Sequence, residues 1–144
     1  ILEKAGERAW LSTGACRYAE ALYELGRLDE AEEWALKGAA MGGSDDVTTQ
    51  ILALQVRAKV LGRRGEHDEA ERIAREAATR ADTTDNPIAQ GDARRDLAEV
   101  LEVAGRRDEA AAVLHDALER YERKGALVPA EHVREKLAAL VSAA

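Results

Sequence analysis

The chain of 144 residues has no phenylalanine, two prolines, one cysteine and an aromatic content of only 3%. Without phenylalanine, a core must be built from small and aliphatic side chains, and so few prolines leave long helices uninterrupted. A lone cysteine, Cys16, cannot form an internal disulfide, which fits a reducing compartment and hence the cytoplasm. Positive charge is not in excess. Lys and Arg number 21 against 28 Asp and Glu, a net charge of -7, and this disfavours a phosphate-backbone partner. No apolar run can cross a bilayer: the longest, Leu137 to Ala144, is short and contains Ser142. No signal-peptide pattern opens the chain. A phosphate-binding loop is also missing, since no glycine carries the Lys-Ser/Thr ending such a loop requires.

What is present is one hexapeptide written three times. Gly26-Arg27-Leu28-Asp29-Glu30-Ala31, Gly65-Glu66-His67-Asp68-Glu69-Ala70 and Gly105-Arg106-Arg107-Asp108-Glu109-Ala110 share the form Gly-x-x-Asp-Glu-Ala, with glycines 39 and 40 residues apart. Helical periodicity lies on both sides of each copy. Glycine tolerates the left-handed conformation of a helix stop, and the acidic pair suits the positive end of the next helix dipole. Each copy is therefore the turn of a helical hairpin, and the chain is a repeat array.

Helices are expected at about 8–25, 29–41, 47–64, 68–81, 87–104 and 108–124, with a last one from Pro129 to about Ser142. Residues 7–43, 44–85 and 86–125 form three hairpins and 126–144 a terminal helix. Residues 1–6 read as the end of a preceding helix, so the chain is expected to be part of a longer protein. In the first helix Trp10, Gly14, Tyr18, Ala21, Leu22 and Leu25 recur at helical steps and are expected inward. Ala31, Trp34, Ala35, Gly38 and Ala39 do so in the second, then Ile51, Leu54, Ala58 and Leu61, then Ala70, Ile73, Ala74 and Ala77. Leu97, Ala98 and Leu101 are expected against Ala110, Val113, Leu114 and Ala117, and Val133, Leu137, Ala138 and Leu140 to close the stack.

Small residues recur at fixed distances from the hexapeptide glycines: Ala19, Ala58 and Ala98 seven before, Ala31, Ala70 and Ala110 five after, Gly38, Ala77 and Ala117 twelve after. Leu22, Leu61 and Leu101 stand four before. This pattern resembles the tetratricopeptide repeat over essentially the whole chain. The resemblance implies an all-α, right-handed α-α superhelix of three hairpins plus the terminal helix. Departures are a unit longer than the usual 34 residues, no repeat-terminal proline, and Ala15, Leu54 and Arg94 where the family's first-helix tryptophan would stand. Arg57 to Gly65, Asp96 to Leu101 and Tyr121 to Gly125 are similar to C-terminal arrays of large bacterial signalling proteins, which follow an NTPase module and sometimes a cyclase or DNA-binding domain.

The function this implies is a non-catalytic protein-interaction or regulatory module whose concave groove, lined by the first helices, takes a peptide or partner helix. Carried over by position, the groove holds Thr13, Cys16, Glu20 and Tyr23, then Gln55, Lys59 and Arg63, then Asp92, Arg95, Glu99 and Glu102. Arg63 and Arg95 are candidates to clamp a carboxylate, since guanidinium matches its planar geometry. For any single charged residue, a solvated ion pair is the weightier reading. Trp10 and Trp34 are expected between helices.

No cofactor or metal is expected. Cys16 as a nucleophile would need a histidine base, and His67, His115 and His132 are not placed near it; a buried structural thiol is the plainer reading. His132 and Glu135 share a helical face but are only two ligands. Two further readings stay open. Arg63-Arg64, Arg94-Arg95 and Arg106-Arg107 could align as a stripe for RNA, against which stand the net charge and the few aromatics. Apolar faces at the ends of the array could pair two copies as a homodimer.

Overall fold

The structure, a computed structural model, describes residues 2–143, with side chains from position 7 onward except at position 9. Seven helices occupy the described residues: α1 (Leu2–Glu24), α2 (Leu28–Gly42), α3 (Val47–Arg63), α4 (His67–Asp82), α5 (Pro87–Val103), α6 (Arg107–Lys124) and α7 (Leu127–Ser142). They form three hairpins and a terminal helix.

The turn inside each hairpin is built the same way. Gly26, Gly65 and Gly105 take φ of 78°, 84° and 80°, the left-handed region that glycine enters without steric cost. The next amide reaches back over the turn: Arg27 N donates to Leu22 O at 2.9 Å, Glu66 N to Leu61 O at 3.0 Å and Arg106 N to Leu101 O at 2.9 Å. These bonds satisfy carbonyls that the helix end would leave open. The Asp-Glu pairs then lie in the first turns of α2, α4 and α6, each helix starting one residue earlier than expected.

Between hairpins, side chains cap the helices. Asn86 accepts from Ala89 N at 3.2 Å, with Pro87 in the first helical position. Asp46 accepts from Thr49 N at 3.1 Å, Thr49 Oγ1 at 2.6 Å and Ser12 Oγ at 3.0 Å, so one carboxylate starts α3 and ties it to α1. Burial alone would raise the Asp46 pKa, but these hydrogen bonds outweigh it and hold the group below its ordinary value of 3.8. The resulting stability is present above that value and is lost as pH falls through the lower folded one. Asp46→Ala is expected to cost about 1–2 kcal/mol near neutral pH in urea unfolding, with the deficit shrinking as pH falls below 3.8.

The small residues at fixed offsets are where the helices meet. Ala19, Ala58, Ala98, Ala31, Ala70, Ala110, Ala77 and Ala117 are all buried, as is Gly38. The expected inward sets of α2 to α6 hold, with Trp34, Ala39, Leu54, Leu61 and Val113 half-buried. In the last helix Val133 and Leu140 are buried and Leu137 half-buried, while Ala138 is exposed.

Three expectations are corrected. First, the break expected near Gly6 is absent, because α1 is one helix from Leu2; glycine costs a helix interior only about 1 kcal/mol, and helix formers flank it. The part of that reading concerning Ile1 lies outside the described residues. Second, α7 starts at Leu127, two residues before Pro129, which a first turn tolerates. Third, the inward face of α1 is Ser12, Ala15, Cys16, Ala19, Leu22 and Tyr23. Trp10 and Leu25 face solvent at 80% and 71% exposure, Tyr18 is 47% exposed with its ring edge-on against Trp34 of α2 at 5.1 Å, and Ala21 is exposed too.

Consecutive helices pack along the chain, and α1 packs on α3 and α3 on α5. The second helices α2, α4 and α6 make no comparable contact with one another among the described residues. First helices side by side with second helices splayed give a curved stack, concave on the first-helix side. The fold is an all-helical repeat solenoid.

Candidate functional site

Along the concave face the first helices carry polar and charged side chains where a globular core would have aliphatic ones, and most of them are bonded to each other. Asp96 on α5 is the centre. It accepts from Gln55 Nε2 of α3 at 2.9 Å, faces Lys59 Nζ at 3.4 Å and lies 3.6 Å from Arg95 Nε. Tyr23 of α1 donates its hydroxyl to Glu99 at 2.7 Å, and its ring lies under Lys59 and Arg63 at 4.8 and 5.1 Å. Tyr121 of α6 donates to Asp92 at 2.5 Å, and Arg95 NH1 is 3.6 Å from the same carboxylate. The layer thus joins α1, α3, α5 and α6.

Burial and charge set the protonation of this layer. Burial is the largest influence on Lys59 and would lower its pKa, but Asp96, then Glu99 and Glu20, raise it above its ordinary value. Burial, then the bond to Glu99, pushes the Tyr23 phenol far up. Burial does the same at Tyr121, against the opposing charge of Arg95. Both hydroxyls therefore remain donors at neutral pH.

Above the layer α7 packs on α6 and stands off α5. The gap is a cleft of about 610 Å³ lined by Glu24 of α1, Lys59 of α3, Arg95, Asp96 and Glu99 of α5, and His132, Glu135, Lys136 and Ala139 of α7. A smaller hollow of about 310 Å³ lies near the other ends of these helices, between Arg17, Ile51, Leu52, Gln55, Ile88 and Asp92 among others. Lys59 and Arg95 are matched in the floor by Asp96 and, beside it, Asp92. Glu24 and Glu135 have no ion-pair partner among the described residues, and neither does Lys136.

The residues expected in the groove divide into three groups. Lys59, Arg95 and Glu99 line the cleft, and Gln55 and Asp92 the smaller hollow. Glu20 is half-buried and paired with Arg17 at 3.0 Å, Arg63 lies over Tyr23, and Glu102 is exposed beyond the cleft. Cys16 and Tyr23 are buried and are not groove surface, and Thr13 is half-buried. Thr13 bonds to Thr49 at 3.1 Å. Tyr23 is 2% exposed and supports the floor from beneath. Cys16 is fully buried beside Gly38, and its thiol donates to Thr49 O at 3.8 Å. Burial, then the charges of Glu20 and Asp46, push that thiol up to about 11, which leaves it protonated and unreactive. The carboxylate clamp is not assembled either: Arg95 is already flanked by Asp92 and Asp96, and Arg63 is outside the cleft wall. His132, Glu135 and Lys136 also line the cleft, although the sequence marks α7 chiefly by its apolar stripe. Their signal was present in the charged positions alternating with Val133, Leu137 and Leu140.

The remaining arginines of the expected RNA stripe are engaged elsewhere. Arg94 lies on the far side of α5, bidentate to Asp82 at 2.8 Å and bonded to Asp116 at 2.5 Å. Arg64 pairs with Asp29 and Glu32, and Arg106 with Glu71 and Glu109. Arg107 donates to Ala143 O at 2.8 Å. They form no common basic face. No three of the described His, Cys, Asp and Glu side chains converge as a metal site would require, and no described helix is long and apolar enough to cross a membrane.

Comparison with known proteins agrees with this geometry. The tetratricopeptide repeat model matches residues 14–37, 52–76 and 91–116, in each case the body of a first helix, its glycine turn and the start of the second. Among solved structures, a tetratricopeptide-like protein from Chlorobium tepidum superposes with a TM-score of 0.65 at 19% identity, covering 95% of this chain and 98% of that one. No curated protein matches significantly.

Proposed function

The chain belongs to the tetratricopeptide repeat family, and we propose on that footing that its concave cleft holds a peptide or helix of a partner protein presenting basic side chains. Repeats of this family serve as protein-interaction scaffolds, and the curvature and first-helix lining support the same use here. The observation that carries the choice of partner is the pairing pattern in the cleft. Its floor cations are already matched by Asp96 and Asp92, whereas Glu24 of α1 and Glu135 of α7 line it without partners among the described residues and outnumber its unpaired cation, Lys136. With a net charge of -7 behind them, those carboxylates draw a cationic segment and disfavour an acidic one.

The reading includes no catalytic step. Residues similar to the C-terminal arrays of bacterial signalling proteins support a regulatory arm of a larger cytoplasmic signalling or transcription-regulatory protein, one that couples partner binding to neighbouring domains. The test is selection from a random displayed-peptide library, followed by fluorescence anisotropy. Selected peptides are expected to be rich in Lys and Arg, and Glu24→Lys with Glu135→Lys to weaken them by at least about tenfold with helicity unchanged. Enrichment of acidic peptides, or equal binding by the double variant, would overturn the assignment.

A further inference from the structure

The two recesses of the concave face differ in chemistry. Charged side chains dominate the cleft between α5 and α7. The hollow of about 310 Å³ has aliphatic walls instead, from Ile51 and Leu52 of α3 and Ile88 and Ala89 of α5. Ile51 belongs to a core cluster with Ala78, Ala81 and Ala93, and Leu52 to another with Cys16 and Ala19. The hollow thus opens at a seam where two core clusters meet without merging, and apolar surface there is left for a guest. Its charged members are already engaged. Arg17 pairs with Glu20 at 3.0 Å, and Asp92 accepts from Tyr121 at 2.5 Å with Arg95 at 3.6 Å. A charged guest would give up its water there without gaining a counter-ion, whereas an aliphatic one gains by leaving water.

Hollow and cleft share a wall. Gln55 lines the hollow and donates to Asp96, which lines the cleft. Asp92 likewise lines the hollow and lies beside Arg95 of the cleft. From Ile88 to Glu99 the helix α5 rises about 16 Å, which an extended peptide spans in about five residues. Two polar groups at the rim suit such a peptide. Asn86 uses its side-chain oxygen on Ala89 N, while its amide nitrogen has no partner among the described residues, nor has the Thr48 hydroxyl. A bound helix satisfies its own backbone and would leave both groups idle. An extended segment offers them unpaired carbonyls and amides.

Resting on the basic-segment reading of the cleft, we propose that the partner segment binds extended and seats one leucine- or isoleucine-sized side chain in the hollow. That residue stands about five positions from the basic side chain held in the cleft. The cleft recognises charge and the hollow fixes register, so a peptide that is only basic is held weakly.

Aligning the display-selected peptides and measuring one of them by anisotropy tests this. A fixed aliphatic position is expected about five residues from the Lys or Arg. Changing that peptide residue to Ser should weaken binding about tenfold. Ile88→Ser, on a side chain 38% exposed in the first turn of α5, should also weaken the parent peptide with helicity unchanged. On that variant the peptide substitution should cost much less than on wild type, because both changes remove one contact. Glu24→Lys with Glu135→Lys should weaken the parent and the Ser-substituted peptide alike. Basic peptides without a fixed aliphatic position, or an equal loss on wild type and Ile88→Ser, would overturn the role of the hollow and leave the basic-segment reading standing. A fixed aliphatic position without Lys or Arg enrichment would overturn the basic-segment reading and the two-part motif with it.

Discussion

Asp96→Ala is expected to destabilise the protein by about 3–5 kcal/mol, more than any other change to a charged residue of the concave layer. Asp96 is 4% exposed and Lys59 6%, so neither charge is screened by bulk water as a surface pair would be. Removing the carboxylate leaves the ammonium without the partner at 3.4 Å and the Gln55 amide without the acceptor at 2.9 Å. The Tyr23 ring and the Glu99 charge soften the loss, which puts the expected value near the lower end. Replacing Lys59 by Met in the same background should recover most of it, because the cost comes from a stranded charge and not from lost attraction. Urea unfolding of the wild type, single and double variants measures all three. A single variant within about 0.5 kcal/mol of wild type would mean that the layer is hydrated and is not a floor.

The second large effect lies at the α1–α2 contact. A methyl group on Gly38 would sit 2.5 Å from Cys16 Sγ and 2.9 Å from Ser12 O. The thiol is fully buried and the carbonyl belongs to a helix backbone, so neither can simply turn aside. Gly38→Ala is therefore expected to push the helices apart and cost about 2–3 kcal/mol, despite alanine's better helix propensity. Gly62 of α3 is the contrast. A methyl there meets Ala70 and Val100 only at 3.9 Å, so Gly62→Ala should stabilise by about 0.5–1 kcal/mol. Thermal melts of the two variants moving in the same direction would contradict the packing described.

The repeat signal read the fold better than local periodicity did. Spacing from the hexapeptide glycines located Ala19, Leu22 and Ala31 as contact residues, and all three are buried, because each is a copy of a position used three times. Periodicity alone selects Trp10, Tyr18 and Leu25, of which Tyr18 packs edge-on against Trp34 of α2 while Trp10 and Leu25 remain exposed. A stripe in sequence shows that something can cover it, not which neighbour does. The cleft was legible only in outline. Lys59, Arg95 and Glu99 were located by position, but Tyr23 and Gln55 were expected at the surface and are 2% exposed each. Their partners stand 76 and 41 residues away, and no local pattern carries a polar pair across that distance. For the same reason Arg95, a free guanidinium by composition, is an engaged one in the fold.

The claim that the first helices form the partner-binding surface is tested most directly by mapping a bound peptide. Amide shifts of the isotope-labelled protein would be followed while a peptide from the display selection is titrated in. The account predicts that the largest changes fall on Glu24, Lys59, Glu99, Glu135 and Lys136, which belong to four different helices and meet only in the cleft. Changes concentrated on the outer faces of α2, α4 and α6, with those five residues unmoved, would contradict it.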